Sequence, residues 1–254
     1  MLRSAFDAIG RVTLFGARAL RDVWSPPFEG NFLLFQIYQI GVGSFSLVAA
    51  AGFALGLIMT LHTRSTLVQF GATAQIPALE SLSFFVEIGP LVTALLVAGR
   101  VGAGMGAQLA NMRATEQIDA LETLSVDSFK LLVVTRVIAC TAMLPLLTLF
   151  TDAAGILGGF ISEHMISHLS WMLYLQRAFQ GVTFADFVPP TLKTAVFGYL
   201  IATISCFYGY TTNEGSEGVR KAATKSVVIS SLVIILADVV LVKCIFFLFP
   251  DSAI

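Results

Sequence analysis

Charge is scarce in this sequence. Of its 254 residues only 12% are Asp, Glu, Lys or Arg, while 56% are hydrophobic. A soluble domain carries about 25% charged residues, so this chain has roughly half of what a water-facing surface needs. Its natural solvent is lipid. The net charge of −1 leaves no basic field to hold nucleic acid. The three cysteines, Cys140, Cys206 and Cys244, lie in apolar runs. Their odd number and the lack of CxxC argue against a disulfide framework or a metal site. GxxxxGK[ST] is missing, so the chain does not cradle a nucleoside triphosphate with a P-loop of its own. HExxH, G-x-S-x-G and any Ser/His/Asp arrangement are missing too, which gives an enzyme little to work with. His164 and His168 stand four apart beside Glu163, a possible metal spacing on a helix, but two histidines in a wet outer loop read as solvated. Residues 1–24 contain no continuous apolar stretch, and Arg11, Arg18, Arg21 and Asp22 are scattered through them. A cleavable signal peptide does not look like this.

What is present is long apolar runs. Each crossing of a bilayer takes about 20 apolar residues. The sequence predicts an all-α integral membrane protein with five spans in a single domain, residues 1–254. Asn31–Leu61 is too long for one straight crossing and is expected to break near Gly41-Val42-Gly43, giving an approach helix and then span one. Span two covers Phe84–Leu109 and span three Leu131–Ile161, with a kink or break expected at Pro145. Span four covers Leu192–Tyr210 and span five Val227–Phe249. Ahead of them Leu2, Phe6, Ile9, Val12 and Phe15 recur at helical spacing, with Arg3, Asp7, Arg11 and Arg18 at other positions. That pattern predicts an amphipathic helix over 1–24 lying in the membrane interface; a helix docked on its own protein fits the same pattern.

Basic residues orient the spans. With a cytoplasmic N-terminus the inside holds eleven: Arg3, Arg11, Arg18, Arg21, Arg100, Arg113, Lys130, Arg136, Arg220, Lys221 and Lys225. The other side holds four, Arg64, Arg177, Lys193 and Lys243, and the C-terminus. Trp171, Tyr174 and Phe179 in the outer segment 163–190 fit an interfacial helix or belt, and Pro189-Pro190 is where the next helix can begin. Small residues are spaced four apart in Ala98, Gly102, Gly106 and Ala110, in Gly99, Ala103 and Ala107, in Gly52 and Gly56, and in Gly155 and Gly159. Such rows let helices approach closely in lipid, within one chain or between two.

Two groups of residues stand out chemically. The largest polar insertion runs from Asn111 to Asp127. Thr115 can cap a short helix over 114–124 with Glu116 in its first turn. Glu116, Asp119 and Glu122 then form an acidic stripe, and Ile118, Leu121 and Leu124 an apolar one. The second group is Glu87, Lys193 and Asp238. Ionisable residues inside a membrane are costly and point to function, although Lys193 could snorkel to the headgroups and Asp238 could satisfy a neighbouring helix. Lys243, five positions beyond Asp238, is about 140° around the helix and cannot pair with it.

Glu116-Gln117-Ile118-Asp119-Ala120-Leu121 resembles the EQIDAL signature of the MlaE/YrbE permease family. Gln36–Gly41 resembles that family's segment before its first span. Glu87-Ile-Gly-Pro90 with Ala98-Gly-Arg100 and Gly102 resembles its second span. Asn213–Arg220 with Ala222-Ala-Thr224 and Val227 resembles its fourth-to-fifth connection. The resemblance implies a non-catalytic permease subunit in the bacterial inner membrane, forming a homodimer above two cytoplasmic ABC ATPase subunits. Residues 116–121 would be the coupling helix seated on the ATPase. It implies no cofactor in this chain, ATP being used by the partner, together with a small STAS-type accessory protein and a hexameric MCE-domain protein in the periplasm. The cargo would be a phospholipid held between the two permease chains, and the task the maintenance of outer-membrane lipid asymmetry. Lys193 could then pair with a phosphate and Glu87 with a cationic headgroup. Two other readings compete: a proton-coupled secondary lipid transporter working through Glu87, Asp238 and Lys193, and an intramembrane enzyme or scaffold.

Overall fold

The computed structural model describes residues 2–24, 30–212 and 215–248, and every regular element in them is a helix. Phe249 of span five and Asn213-Glu214 of the fourth-to-fifth connection lie outside the described residues, as do the side chains of Leu2, Arg3 and Phe6. Among the described residues, five helical stretches are long and apolar enough to cross a membrane: Gly30–Leu67, Thr73–Ala114, Lys130–Ser167, Phe184–Tyr210 and Ser216–Leu248. The chain is a multi-pass membrane protein.

Helix α1 covers Leu2–Asp22. Helix α2, Gly30–Leu67, runs for 38 residues without interruption, so the break expected at Gly41-Val42-Gly43 does not occur. The two glycines serve packing instead. A Cβ on Gly41 would strike Met143, and one on Gly43 would strike the Arg100 guanidinium. At 1.5 Å per residue α2 is about 57 Å long, nearly twice the ~30 Å hydrocarbon core. The second stretch joins α3 (Ile76–Ser83), α4 (Gly89–Val97) and α5 (Ala103–Ala114) through π-turns at Phe84–Ile88 and Ala98–Gly102. A third π-turn, Lys130–Val134, precedes α7 (Thr135–Ser167).

Helix α7 continues through Pro145 rather than breaking there. One missing N–H is tolerated when neighbouring helices hold the segment. After α8 (Trp171–Ala178), α9 begins at Phe184, ahead of the expected start at Pro189-Pro190. The reason is local. Asp186 Oδ2 accepts from the Thr183 backbone N–H at 2.9 Å and from its hydroxyl at 2.7 Å, an Asp variant of the capping box. The prolines fall inside α9 as a result. Helix α10 spans Ser216–Leu248.

The chain divides into two compact units, and each long helix contributes to both. The first comprises Met1–Gly43, Val97–Leu144 and Ala195–Leu236. Within it α1 packs on its own protein along one edge: Phe15 meets Phe129 at 5.0 Å and Phe207 at 5.5 Å between ring centroids, and Arg18 lies over Phe129. Its Ile9, Leu14 and Leu20 remain exposed, as an interfacial helix requires. Gly106 accommodates Ser226, and Gly209 lies against the Gly106 backbone. All eleven basic residues assigned to the inside fall in this unit.

The second unit comprises Ser44–Leu96, Pro145–Thr194 and Ala237–Ile254, and it contains the other four basic residues. Here α2 and α7 touch backbone to backbone. A Cβ on Gly52 would meet the Thr151 carbonyl, one on Gly56 the Gly155 backbone, and one on Gly158 the Phe53 carbonyl. These rows pack within the chain. Gly99 and Gly104 of the first unit, by contrast, have open space where a Cβ would stand.

Candidate functional site

Glu87, Lys193 and Asp238 come from three different helical stretches and meet in the second unit. The Lys193 side chain is only 2% exposed. Its Nζ donates to the Val86 carbonyl at 2.9 Å and to Glu87 Oε2 at 3.3 Å. It also lies 2.9 Å from Asp238 Oδ1, an ion pair by distance that lacks hydrogen-bond alignment. An ammonium has three donors, and two of them are bonded inside the unit. Lys193 therefore does not snorkel to the surface. Asp238 is nearly buried, at 10%, whereas Glu87 is 40% exposed and forms the open side of the cluster.

The backbone explains the contact with Val86. Residues 84–88 form a π-turn, where i→i+5 bonding displaces carbonyls from the regular ladder. Gly89, next in sequence, lacks the Cβ that would collide with the Asp152 carboxyl. Asp152 is 1% exposed, and neither of its oxygens has a hydrogen-bond partner among the described residues.

Sequence reasoning missed a second polar network in the same unit. Glu80 is 2% exposed and accepts from Thr60 at 2.6 Å and from the Tyr174 hydroxyl at 3.1 Å. Tyr174, expected in an interfacial belt, is instead buried in an apolar cluster with Phe85, Ile156 and Ala178. Burial, and then the Glu80 charge, push its phenol above the ordinary tyrosine range. Trp171 and Phe179 do stay largely exposed. Glu163 is engaged by Arg64 and Ser167, both at 2.6 Å. His164 Nδ1 lies 2.8 Å from the Leu169 carbonyl.

The polar insertion folds in the first unit as α6, Gln117–Thr123. Thr115 does not cap it; its hydroxyl donates back to the Asn111 carbonyl at 2.8 Å, inside α5. The residue at the cap is Glu116, in the left-handed region at φ 57°. Ser125 on the far side is left-handed as well, at φ 60°, so sharp turns bracket the helix. The acidic stripe is exposed, and two of its three members are also tied to the protein. Asp119 pairs with Arg113 at 2.6 Å, and Glu122 accepts from Ser128 at 2.8 Å and Tyr210 at 3.3 Å. Ile118 is fully buried. Every residue from Glu116 to Leu124 except Ile118 and the half-buried Leu121 is exposed, Leu124 at 74%.

Long apolar helices that carry ionisable groups and display a short polar helix between spans define a polytopic membrane protein. Residues 33–244 match the family model described as Permease MlaE, and the chain belongs to that family. It is 35% identical over 240 residues to a protein of Rickettsia bellii, covering 94% of this chain and 93% of that one. A Rickettsia prowazekii protein is 36% identical with the same coverage. One from Synechocystis is 34% identical over 203 residues, covering 80% and 77%. Each is named a probable ABC transporter permease protein.

Proposed function

We propose that this chain is the membrane subunit of an ABC transporter that moves phospholipid between the inner and outer membranes of a bacterium and so maintains outer-membrane asymmetry. It works as a homodimer, with two ATPase subunits and a STAS-type accessory protein in the cytoplasm and a hexameric MCE-domain protein in the periplasm. The carrying observation is membership of the permease family in a chain whose spans enclose the Glu87–Lys193–Asp238 cluster. Nothing in the sequence cradles a nucleotide, so hydrolysis belongs to another subunit. The N-terminus is cytoplasmic and the C-terminus periplasmic. The sorting of basic residues between the two units supports that orientation, which puts α6 on the ATP side.

In this reading α6 is the coupling helix, with Glu116, Gln117, Ile118, Asp119, Ala120 and Leu121 as its signature. Its tethers suit the task. Arg113 holds it to α5, and Tyr210 holds it to the end of α9, so a push on α6 reaches two spans. Lys193 is already engaged, which shifts the expected headgroup contact to Glu87, the exposed member of the cluster. A cationic headgroup amine suits that carboxyl.

Retention of the ATPase during purification tests docking. Leu124→Asp on the outward face is expected to lower retention about tenfold, the loss of one well-packed apolar anchor. Glu122→Gln should keep the ATPase but reduce transport. Charge reversal at Asp119 would eject Arg113 and so report on the tether rather than on docking. Normal ATPase retention and stimulation with Leu124→Asp would remove α6 from this role.

Cysteine labelling tests orientation. In a Cys244→Ser background, cysteine at the exposed position Glu217 should react only from the cytoplasm, and at exposed Gln176 only from outside. The reverse pattern would overturn the topology. Buried carboxyls at Glu80 and Asp152 within spans favour one competing reading, a proton-driven secondary transporter. ATP-independent lipid movement driven by a pH gradient, with this chain alone, would decide for it.

A further inference from the structure

The first unit contains a cavity of about 590 Å³ on the stretch read as span two, lined by residues of α2, the second π-turn and α5. Its volume is within the usual range for small-molecule sites. Gln36, Gln39, Arg100 and Gln108 supply its polar wall, and among the described residues no carboxylate lines it. Four features fix its chemistry.

Arg100 sits in the π-turn Ala98–Gly102, a distortion that recurs at functional sites. Its guanidinium donates to the Gln39 carbonyl at 3.4 Å and lies where a Cβ on Gly43 would stand. Gln36 is 3% exposed, and its Nε2 has no hydrogen-bond partner among the described residues. A buried amide donor left unmade costs about 1–3 kcal/mol, and a ligand acceptor would offset that. Gln108 Oε1 is occupied by Arg136, which donates to it at 3.0 Å. Its amide N–H groups are therefore what remains for a ligand. Gly104 completes the wall with nothing standing where its Cβ would be. Among the described residues the cavity thus offers a guanidinium and two amide donors, and no anion.

We propose that this cavity binds a phosphate oxyanion, held by Arg100 with Gln36 and Gln108 as neutral donors. Guanidinium pairs with phosphate bidentately. The neutral donors fix orientation without adding charge that would trap the ligand. This deepens the function proposed above and rests on it for the favoured source, the phosphodiester of a phospholipid passing through the membrane subunit. The same chemistry would also hold free phosphate. The site is separate from the Glu87 cluster, which has the opposite preference, two carboxyls around one ammonium. A zwitterionic or anionic lipid would therefore meet donors at one station and acceptors at the other.

The test uses the purified complex in detergent. Native mass spectrometry measures retention of phosphatidylglycerol against diacylglycerol, which lacks the phosphate, and filter binding measures labelled inorganic phosphate. Wild type is expected to retain phosphatidylglycerol and not diacylglycerol. Arg100→Gln should lower that retention about tenfold, the worth of one charge-assisted contact. Gln36→Leu should lower it less, Arg100→Lys should keep part of it, and Lys243→Gln, a cation removed elsewhere, should leave it unchanged. Phosphate binding that Arg100→Gln abolishes, with lipid retention unaffected, would keep the oxyanion site and assign it to free phosphate. Equal retention of both lipids with no phosphate binding, or a folded Arg100→Gln complex in which both lipid retention and phosphate binding are unchanged, would overturn it. Thermal unfolding of each variant separates loss of binding from loss of fold. The binding assay needs neither ATP nor transport, so an ATPase that fails to co-purify would sink the transporter reading and leave this result standing.

Discussion

Lys193→Glu is expected to abolish both lipid co-purification and transport. The substitution would place three carboxyl groups where one ammonium now holds two, at a position whose side chain is 2% exposed. Removing one member of a buried ion pair costs about 3–5 kcal/mol, and reversal costs more, so the yield of folded chain should fall as well. Lys193→Arg should keep part of both activities, since it retains the charge but not the compact ammonium that reaches the Val86 carbonyl. Adding Asp238→Asn to Lys193→Met should restore folding without restoring transport. That pair separates stability from function: thermal unfolding reads the first, and lipid occupancy by mass spectrometry reads the second. Wild-type occupancy and transport in Lys193→Glu would remove the cluster from the lipid path.

The second large effect is steric. In Gly56→Val the new side chain would enter the backbone of Gly155, and backbone cannot rotate aside. Helices α2 and α7 would have to part, at a cost of about 3 kcal/mol or more. Loss of monodisperse protein in detergent is the expected result, and an unchanged melting temperature would refute the contact. Gly99→Ala is the matched control. Its Cβ meets nothing within 4 Å, and an alanine inside a helix is worth about 0.5–1 kcal/mol over glycine. Identical spacing in the sequence thus conceals opposite sensitivities.

That contrast marks the limit of what the sequence made legible. Low charge and long apolar runs gave the class, the five spans and the three ionisable residues that cluster, because the cost of polarity in lipid leaves few arrangements. Partners were not legible. Nothing in the spacing of Glu87, Lys193 and Asp238 says that they meet, since helix packing decides that. Thr115 looked like a cap, yet its hydroxyl bonds backwards to Asn111, an alternative always open to threonine. The start of α9 was legible after the fact in Thr183-Phe-Ala-Asp186, while Pro189-Pro190 drew the boundary to the wrong place. Glu80 escaped notice because span two was begun at Phe84, whereas helix extends back through Ile76–Ser83 and carries that carboxyl into the interior.

Each π-turn accommodates one residue more than the α ladder needs. Deleting a single residue from Phe84–Ile88 would therefore relax that turn into regular helix and leave the stretch unbroken. Everything beyond would keep its face, because the wide turn had already absorbed the extra residue. The same holds at Ala98–Gly102. Span two therefore carries a single-residue slack at Glu87 and another at Arg100. What the deletion at Phe84–Ile88 would take away is the displaced carbonyl, and with it the contact that Lys193 makes at Val86.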